Sequence, residues 1–228
     1  MAWIARSAII RMLRGIVFDM DGVVIDSHPV HRLAWKNFLD TVGREVSDED
    51  LEFILDGRKR DEILRYFLGE LSADELAEYG SLKDEMLQKL GKQLRPLPGI
   101  VEFLAGLSPA GIRIALATSA GRSRACGTLR ELGLADYFET IVTGDEVVNG
   151  KPDPAIYRLA AERLQEAPEN LLAIEDAVSG VKSARAAGLR CVGVSCPGRA
   201  EELLAAGAEQ VISDFRSFSL AGLKSDID

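Results

Sequence analysis

Short apolar runs recur along the chain, and each stops at a polar residue. Gly15-Ile16-Val17-Phe18 ends at Asp19, and Ile112-Arg113-Ile114-Ala115-Leu116-Ala117 ends at Thr118-Ser119. Ile141-Val142 ends at Thr143-Gly144-Asp145, and Leu171-Leu172-Ala173-Ile174 ends at Glu175-Asp176. Cys191-Val192-Gly193-Val194 and Val211-Ile212 complete the series. Between most of these runs lie helical patterns, at Ser123 to Leu132, Pro154 to Gln165 and Val178 to Ala187. Strands that are apolar on both faces and alternate with helices predict an α/β, Rossmann-like three-layer core around a parallel sheet. Ligands of such sheets bind beyond the carboxyl ends of the strands, where Asp19, Thr118, Asp145, Glu175 and Asp176 fall.

One stretch breaks the alternation. From Ser27 to Arg95 the pattern is helical throughout, with breaks at Gly43, Gly57 and Gly69-Glu70, and Pro96 and Pro98-Gly99 mark its exit. This predicts an α/β core of residues 1–26 and 97–228 carrying an inserted α-helical cap, 27–96. Leu33, Phe38, Leu51, Ile54, Leu55, Ile63 and Leu64 recur at helical spacing and read as the cap's own core, with Trp35 packed among them. For a substrate to enter, the cap must move on hinges near Asp26-Ser27 and Pro96 to Gly99.

Composition narrows the function. The 228 residues, 47% hydrophobic and 28% charged, suit one folded domain with an insert and exclude a disordered chain. Lys and Arg number 27 against 36 Asp and Glu, a net charge of −9, which disfavours a nucleic-acid partner. An anionic substrate then needs a metal ion or a local basic cluster. Cys126, Cys191 and Cys196 form no CxxC pair and read as free thiols of a reducing compartment. No apolar run reaches the roughly 20 residues of a membrane span, and Met1 to Arg14 lacks the features of a secretory signal. The expectation is a cytoplasmic protein, monomeric or a weak homo-oligomer, with residues 1–11 read as a start-site extension ahead of Met12.

The candidate chemistry sits at the strand ends. Phe18-Asp19-Met20-Asp21-Gly22-Val23 places two carboxylates one residue apart at a strand terminus, a pattern that suits Mg²⁺ with few protein ligands and equally suits a solvated turn. Thr118-Ser119 offers hydroxyls and backbone N–H groups ahead of a helix, a phosphate cradle or an ordinary helix cap. Lys151, within Gly150-Lys151-Pro152-Asp153-Pro154, is a point cation for phosphate or a surface lysine. Glu175-Asp176 could complete a metal site. Jointly, at successive strand ends, these signals point to phosphate chemistry. Gly144 to Lys151 is not a Walker loop, because its spacing is too long by one and Pro152 stands where Ser or Thr is required. His28 and His31, the only histidines, form no metal-ligand pattern.

The set Asp19-Met20-Asp21-Gly22, Thr118, Lys151 and Glu175-Asp176 resembles the haloacid dehalogenase superfamily in its helical-cap subgroup, and Gly22-Val23-Val24-Ile25-Asp26-Ser27 is similar to the β-phosphoglucomutase-like phosphatases. The resemblance implies that Asp19 is the nucleophile, forming an aspartyl-phosphate. It implies that Asp21 is general acid and then base, and that Thr118, Ser119 and Lys151 hold the phosphoryl oxygens. Mg²⁺ would be bound by Asp19, the Asp21 backbone carbonyl and Asp176, with Glu175 assisting directly or through water. In the cap it implies a role for His31 in coupling closure to the general acid and for Arg60, in Arg58-Lys59-Arg60, in gripping a second phosphate; Lys83 is a further cap cation. The second Asp points to phosphoryl transfer rather than dehalogenation. The leading expectation is a Mg²⁺-dependent phosphatase of a small phosphorylated metabolite, in the first instance a sugar phosphate. A β-phosphoglucomutase, a pyrophosphatase and a catalytically silent binding protein are the alternatives.

Overall fold

The computed structural model describes residues 13–90, 93–195 and 199–220. The extension expectation for residues 1–11 and the thiol expectation for Cys196 lie outside the described residues; Cys126 and Cys191 are free thiols. Six strands, β1 Gly15–Phe18, β2 Arg113–Thr118, β3 Thr140–Thr143, β4 Leu171–Glu175, β5 Arg190–Val194 and β6 Gln210–Ile212, form one parallel sheet in the order β3-β2-β1-β4-β5-β6. The direction of winding reverses between β1 and β4, and a ligand crevice opens at such a switch point.

Both faces of the sheet are dry. Ile16, Phe18, Ile114, Leu116, Leu172 and Ile174 face one cluster, and Val17, Ala115, Ala117, Leu171 and Ala173 face the other, the period-2 alternation of a strand. On the first face pack α5 Ile100–Leu107 and α6 Arg122–Glu131, and on the second α7 Ala155–Leu164, α8 Val178–Ala186 and α9 Ala200–Ala206. Register aligns the residues at the strand ends. Phe18 pairs with Leu116 on one side and Ile174 on the other, and the Asp19 N–H donates to the Ile174 carbonyl at 2.9 Å. Asp19 therefore stands level with Ala117 and Glu175, and a slip of one residue would bury it in the opposite face.

Between β1 and α5 lie α1 His28–Thr41, α2 Asp48–Ile54, α3 Arg60–Leu68 and α4 Ala73–Leu90, ending close to the expected breaks. Trp35, Phe38, Leu39, Ile54, Leu55, Ile63, Leu64 and Leu76 make a hydrophobic cluster of their own, while Val30, Ala34 and Leu87 join the cluster of the sheet. Leu33 departs from expectation: it is 42% exposed. The buried arc of α1 runs through Val30, Ala34, Trp35, Phe38 and Leu39, and at 100° per residue position 33 falls outside it. The chain enters and leaves this helical block through paired segments, with Asp26 N–H bonded to the Arg95 carbonyl at 2.9 Å and Leu97 N–H to the Val24 carbonyl at 3.0 Å.

Candidate active site

Asp19 leaves β1 into the crevice and is buried. The loop before α7 brings it a cation: Lys151 Nζ donates to Asp19 Oδ1 at 2.5 Å and to Glu175 Oε1, at the end of β4, at 2.5 Å, and reaches the Ala117 carbonyl at 3.3 Å. Burial would lower the pKa of Lys151, but the two carboxylates outweigh it and hold the ammonium above its ordinary value. Burial pushes the Asp19 carboxyl well up, against the pull of Lys151.

Glu175 is fully spent within the protein. Its Oε1 accepts from Lys151 and from the Tyr157 hydroxyl at 2.8 Å, and its Oε2 accepts from the N–H groups of Asp176 at 3.0 Å and Ala177 at 3.2 Å. In this structure Glu175 stands behind Asp19 and fixes Lys151. Sequence reading missed Tyr157, which faces inward from α7 and carries no motif.

Asp21, two residues past Asp19, faces the same cavity and is gripped from two sides. Arg124, from the first turn of α6, donates to its Oδ1 at 3.1 Å and Oδ2 at 2.5 Å, and His31 Nε2 of α1 lies 3.2 Å from Oδ1. Burial alone would raise the Asp21 pKa, but Arg124 and His31 hold it well below the usual carboxylate range. Burial carries His31 down to about 4, so it is neutral at pH 7. Arg124 was not anticipated; its place just beyond the Thr118-Ser119 cradle is the signal that could have found it.

The remaining strand ends complete the ring. Thr118 is buried and its Oγ1 accepts the Ala120 N–H at 3.1 Å, shaping the turn ahead of α6. Ser119 spends its hydroxyl on the Gly57 carbonyl of the helical block, at 2.6 Å, leaving its backbone N–H for a phosphate oxygen. Asp176 meets His28 Nε2 at 2.7 Å, a contact that sequence reading also missed. The turn between Asp21 and Ile25 requires Gly22, which sits at φ +77° against Asp176 and His28, where a Cβ would collide with both.

The test for Mg²⁺ is whether acceptors remain. Asp176 Oδ2 is buried with His28 Nε2 at 2.7 Å beside it, and a carboxylate keeps further lone pairs with which to take a hard cation. Among the described residues no cage of three or more His, Cys, Asp or Glu side chains forms; two carboxylates, Asp19 and Asp176, flank the crevice. Mg²⁺ takes such sparse oxygen sets and keeps its remaining positions for water and phosphate. The residues fit the ion.

Above the ring lies a cavity of about 520 Å³, roofed by α1, α3 and α4 and lined by His31, Trp35, Arg60, Lys83, Arg124 and Asp19 among others. That volume suits a small metabolite. Arg60 lies over Gly80 and pairs with Asp84 at 2.6 Å and Asp61 at 3.5 Å. The roof is closed onto the core: Lys59 Nζ reaches the carbonyls of Val147 at 2.5 Å and Val148 at 3.1 Å, and Asp56 accepts from the Ser179 N–H at 3.2 Å. Among the described residues no helix is long and apolar enough to cross a membrane.

A haloacid dehalogenase-like hydrolase profile matches residues 13–188. The chain is 36% identical over 179 residues to a phosphorylated carbohydrates phosphatase of Thermotoga maritima, covering 78% of this chain and 82% of that one. It is 34% identical over 217 residues to a β-phosphoglucomutase of Bacillus subtilis, covering 91% and 92%. A crystal structure of β-phosphoglucomutase from Clostridium difficile superposes with a TM-score of 0.82 at 27% identity, over 91% of this chain and 93% of that one. The profile spans both Asp19 and Glu175-Asp176, at opposite ends of the ion-paired network, and the chain belongs to the haloacid dehalogenase-like hydrolases.

Proposed function

We propose that this protein is a Mg²⁺-dependent phosphatase of phosphorylated carbohydrates, working through an aspartyl-phosphate on Asp19. The observation that carries the reading is the pair of carboxylates at the end of β1, one held against Lys151 and one facing the same cavity from two residues on. The relatives named for phosphorylated carbohydrates and for β-phosphoglucomutase support the substrate class.

Asp19 attacks phosphorus, and the bond from phosphorus to the sugar oxygen breaks. Asp21, protonated for this step, gives its proton to the leaving oxygen. In the second step Asp21 takes a proton from water, the water oxygen bonds to phosphorus, and Asp19 is released. Lys151, the Thr118 hydroxyl and the backbone N–H groups after β2 hold the phosphoryl oxygens, so that most of the acceleration is positioning and charge stabilisation. Asp19, Asp176 and the Asp21 backbone carbonyl would hold Mg²⁺, which would supply the positive charge that lets two anions meet. Residues 27–96 act as a cap that excludes water during transfer and opens on the paired segments at 24–27 and 95–97.

A mutase shares the first half-reaction, so the experiment separates the two. Purified protein is given Mg²⁺ and glucose 1-phosphate with trace glucose 1,6-bisphosphate. Release of inorganic phosphate supports the phosphatase and formation of glucose 6-phosphate supports the mutase. Asp19→Asn lowers turnover by at least about a thousand-fold, and EDTA abolishes it. Turnover by Asp19→Asn equal to that of the wild type would sink the proposal.

A further inference from the structure

Lys151 and Tyr157 lie on one stretch of chain, the lysine in the loop before α7 and the tyrosine in the first turn of that helix. Both reach the end of β4 and meet at a single oxygen. Glu175 Oε1 accepts from Lys151 Nζ at 2.5 Å and from the Tyr157 hydroxyl at 2.8 Å, while Oε2 accepts the N–H groups of Asp176 and Ala177. Gly180 of α8 makes room for this, because a Cβ there would collide with the Glu175 carboxylate. Tyr157, Lys151 and Glu175 are each at most 1% exposed, so water does not stand in for a missing donor. The ammonium also lies 5.3 Å from the centre of the Tyr157 ring, within reach of its π face. The tyrosine thus touches the lysine with its ring and the lysine's partner with its hydroxyl.

Lys151 is shared between two carboxylates, Asp19 and Glu175, at 2.5 Å each. They compete for one cation. A hydroxyl that donates to Glu175 Oε1 takes up part of its negative charge and loosens its hold on the ammonium. Without that donor, the same oxygen has only the lysine to satisfy it and draws the ammonium back from Asp19. The donor is secure: burial and the charges of Glu175 and Asp19 hold the Tyr157 hydroxyl well above its ordinary pKa, so it keeps its proton.

We propose that Tyr157 is a positioning residue, whose hydroxyl balances the pull of Glu175 on Lys151 and keeps the ammonium at Asp19, where the phosphoryl oxygens arrive. The kinetic half of this rests on the phosphatase reading; the geometric half does not. A tyrosine that only filled the hydrophobic cluster on its face of the sheet would give way to phenylalanine with no effect on the lysine.

Rates are measured with Mg²⁺ for the wild type and Tyr157→Phe, on the best sugar phosphate of a panel and on p-nitrophenyl phosphate, and crystal structures of both proteins are determined. Tyr157→Phe keeps the ring and its packing, so it folds and melts close to the wild type. Its kcat falls about ten-fold, the order of one hydrogen bond to a charged group, while KM stays near the wild-type value. The fall is the same for p-nitrophenyl phosphate, because the lysine acts on the phosphoryl oxygens whatever the leaving group. In the crystal structure of Tyr157→Phe, Lys151 Nζ stays on Glu175 and retreats from Asp19. An unchanged kcat, a change in KM alone, a fall confined to the sugar ester, or a lysine that has not moved overturns the proposal. So does a Tyr157→Phe protein that fails to fold, since the hydroxyl would then hold the fold rather than aim the lysine. If the wild type turns over no phosphate ester, the phosphatase reading fails, and the two crystal structures still decide whether the hydroxyl keeps Lys151 at Asp19.

Discussion

Lys151 shows how one side chain couples stability to chemistry. It is the only cation bonded to Asp19 and Glu175 among the described residues, and all three are buried. Replacing it with Met leaves two carboxylates in a dry site, and breaking such a pair costs about 3–5 kcal/mol. Urea denaturation of Lys151→Met is expected to show that loss, alongside loss of turnover. Lys83 behaves in the opposite way: burial, with Arg124 of α6, lowers its pKa to about 8, against Asp84 of its own helix and Asp21 after β1, with Arg60 of α3 adding to the lowering.

At the scale of elements, α8 is completed by a residue far away in the chain. Its N-cap, Ala177, has no side chain to accept a hydrogen bond, and Asp56, from the turn after α2, accepts from the Ser179 N–H instead. The Ser179 hydroxyl bonds the Asp56 carbonyl as well. A core helix thus takes its cap from the helical roof. Loss of a cap costs about 1 kcal/mol, so Asp56→Ala is expected to shift the balance toward an open roof. Faster amide exchange at residues 179–181 and a raised KM with little change in kcat would register the shift; unchanged exchange there would count against an interdomain cap.

For the whole molecule, the proposed opening of the cap is assigned to the place where two chain segments run side by side. Ile25 and Pro96 form an antiparallel bridge, flanked by the Asp26–Arg95 and Leu97–Val24 hydrogen bonds. A two-stranded ribbon can bend as a unit while the hydrophobic clusters on either side stay packed. Hydrogen–deuterium exchange across 24–27 and 95–99 is expected to slow when substrate or inorganic phosphate binds with Mg²⁺. Equal exchange with and without ligand would remove these segments as the hinge. The roof is held by contacts scattered over the core, including Lys59 to Val147 and Glu52 to Arg199 at 3.2 Å, each modest alone and at the surface worth at most about 1 kcal/mol. Such weak, dispersed contacts suit the cap opening proposed above.

The strands and the residues that end them were legible from the amino-acid order alone. A parallel strand covered on both faces is a continuous apolar run, and the polar residue that stops it falls at the ligand-binding edge. Asp19, Thr118 and Asp176 are found this way, and the glycine breaks mark the cap helices. The partners of those residues were not legible. Arg124 meets Asp21 across 103 positions and Lys151 meets Asp19 across 132, and such pairings depend on strand register and on how the helical block docks. The contacts of Glu175 with Lys151 and Tyr157 were not legible either, because a carboxylate beside a carboxylate carries no sign of which way it points. Leu33 read as core because spacing alone does not say where a buried arc ends. Local pattern determined the elements and their polar ends, and tertiary packing decided which charges meet, because those pairs join residues far apart in the chain.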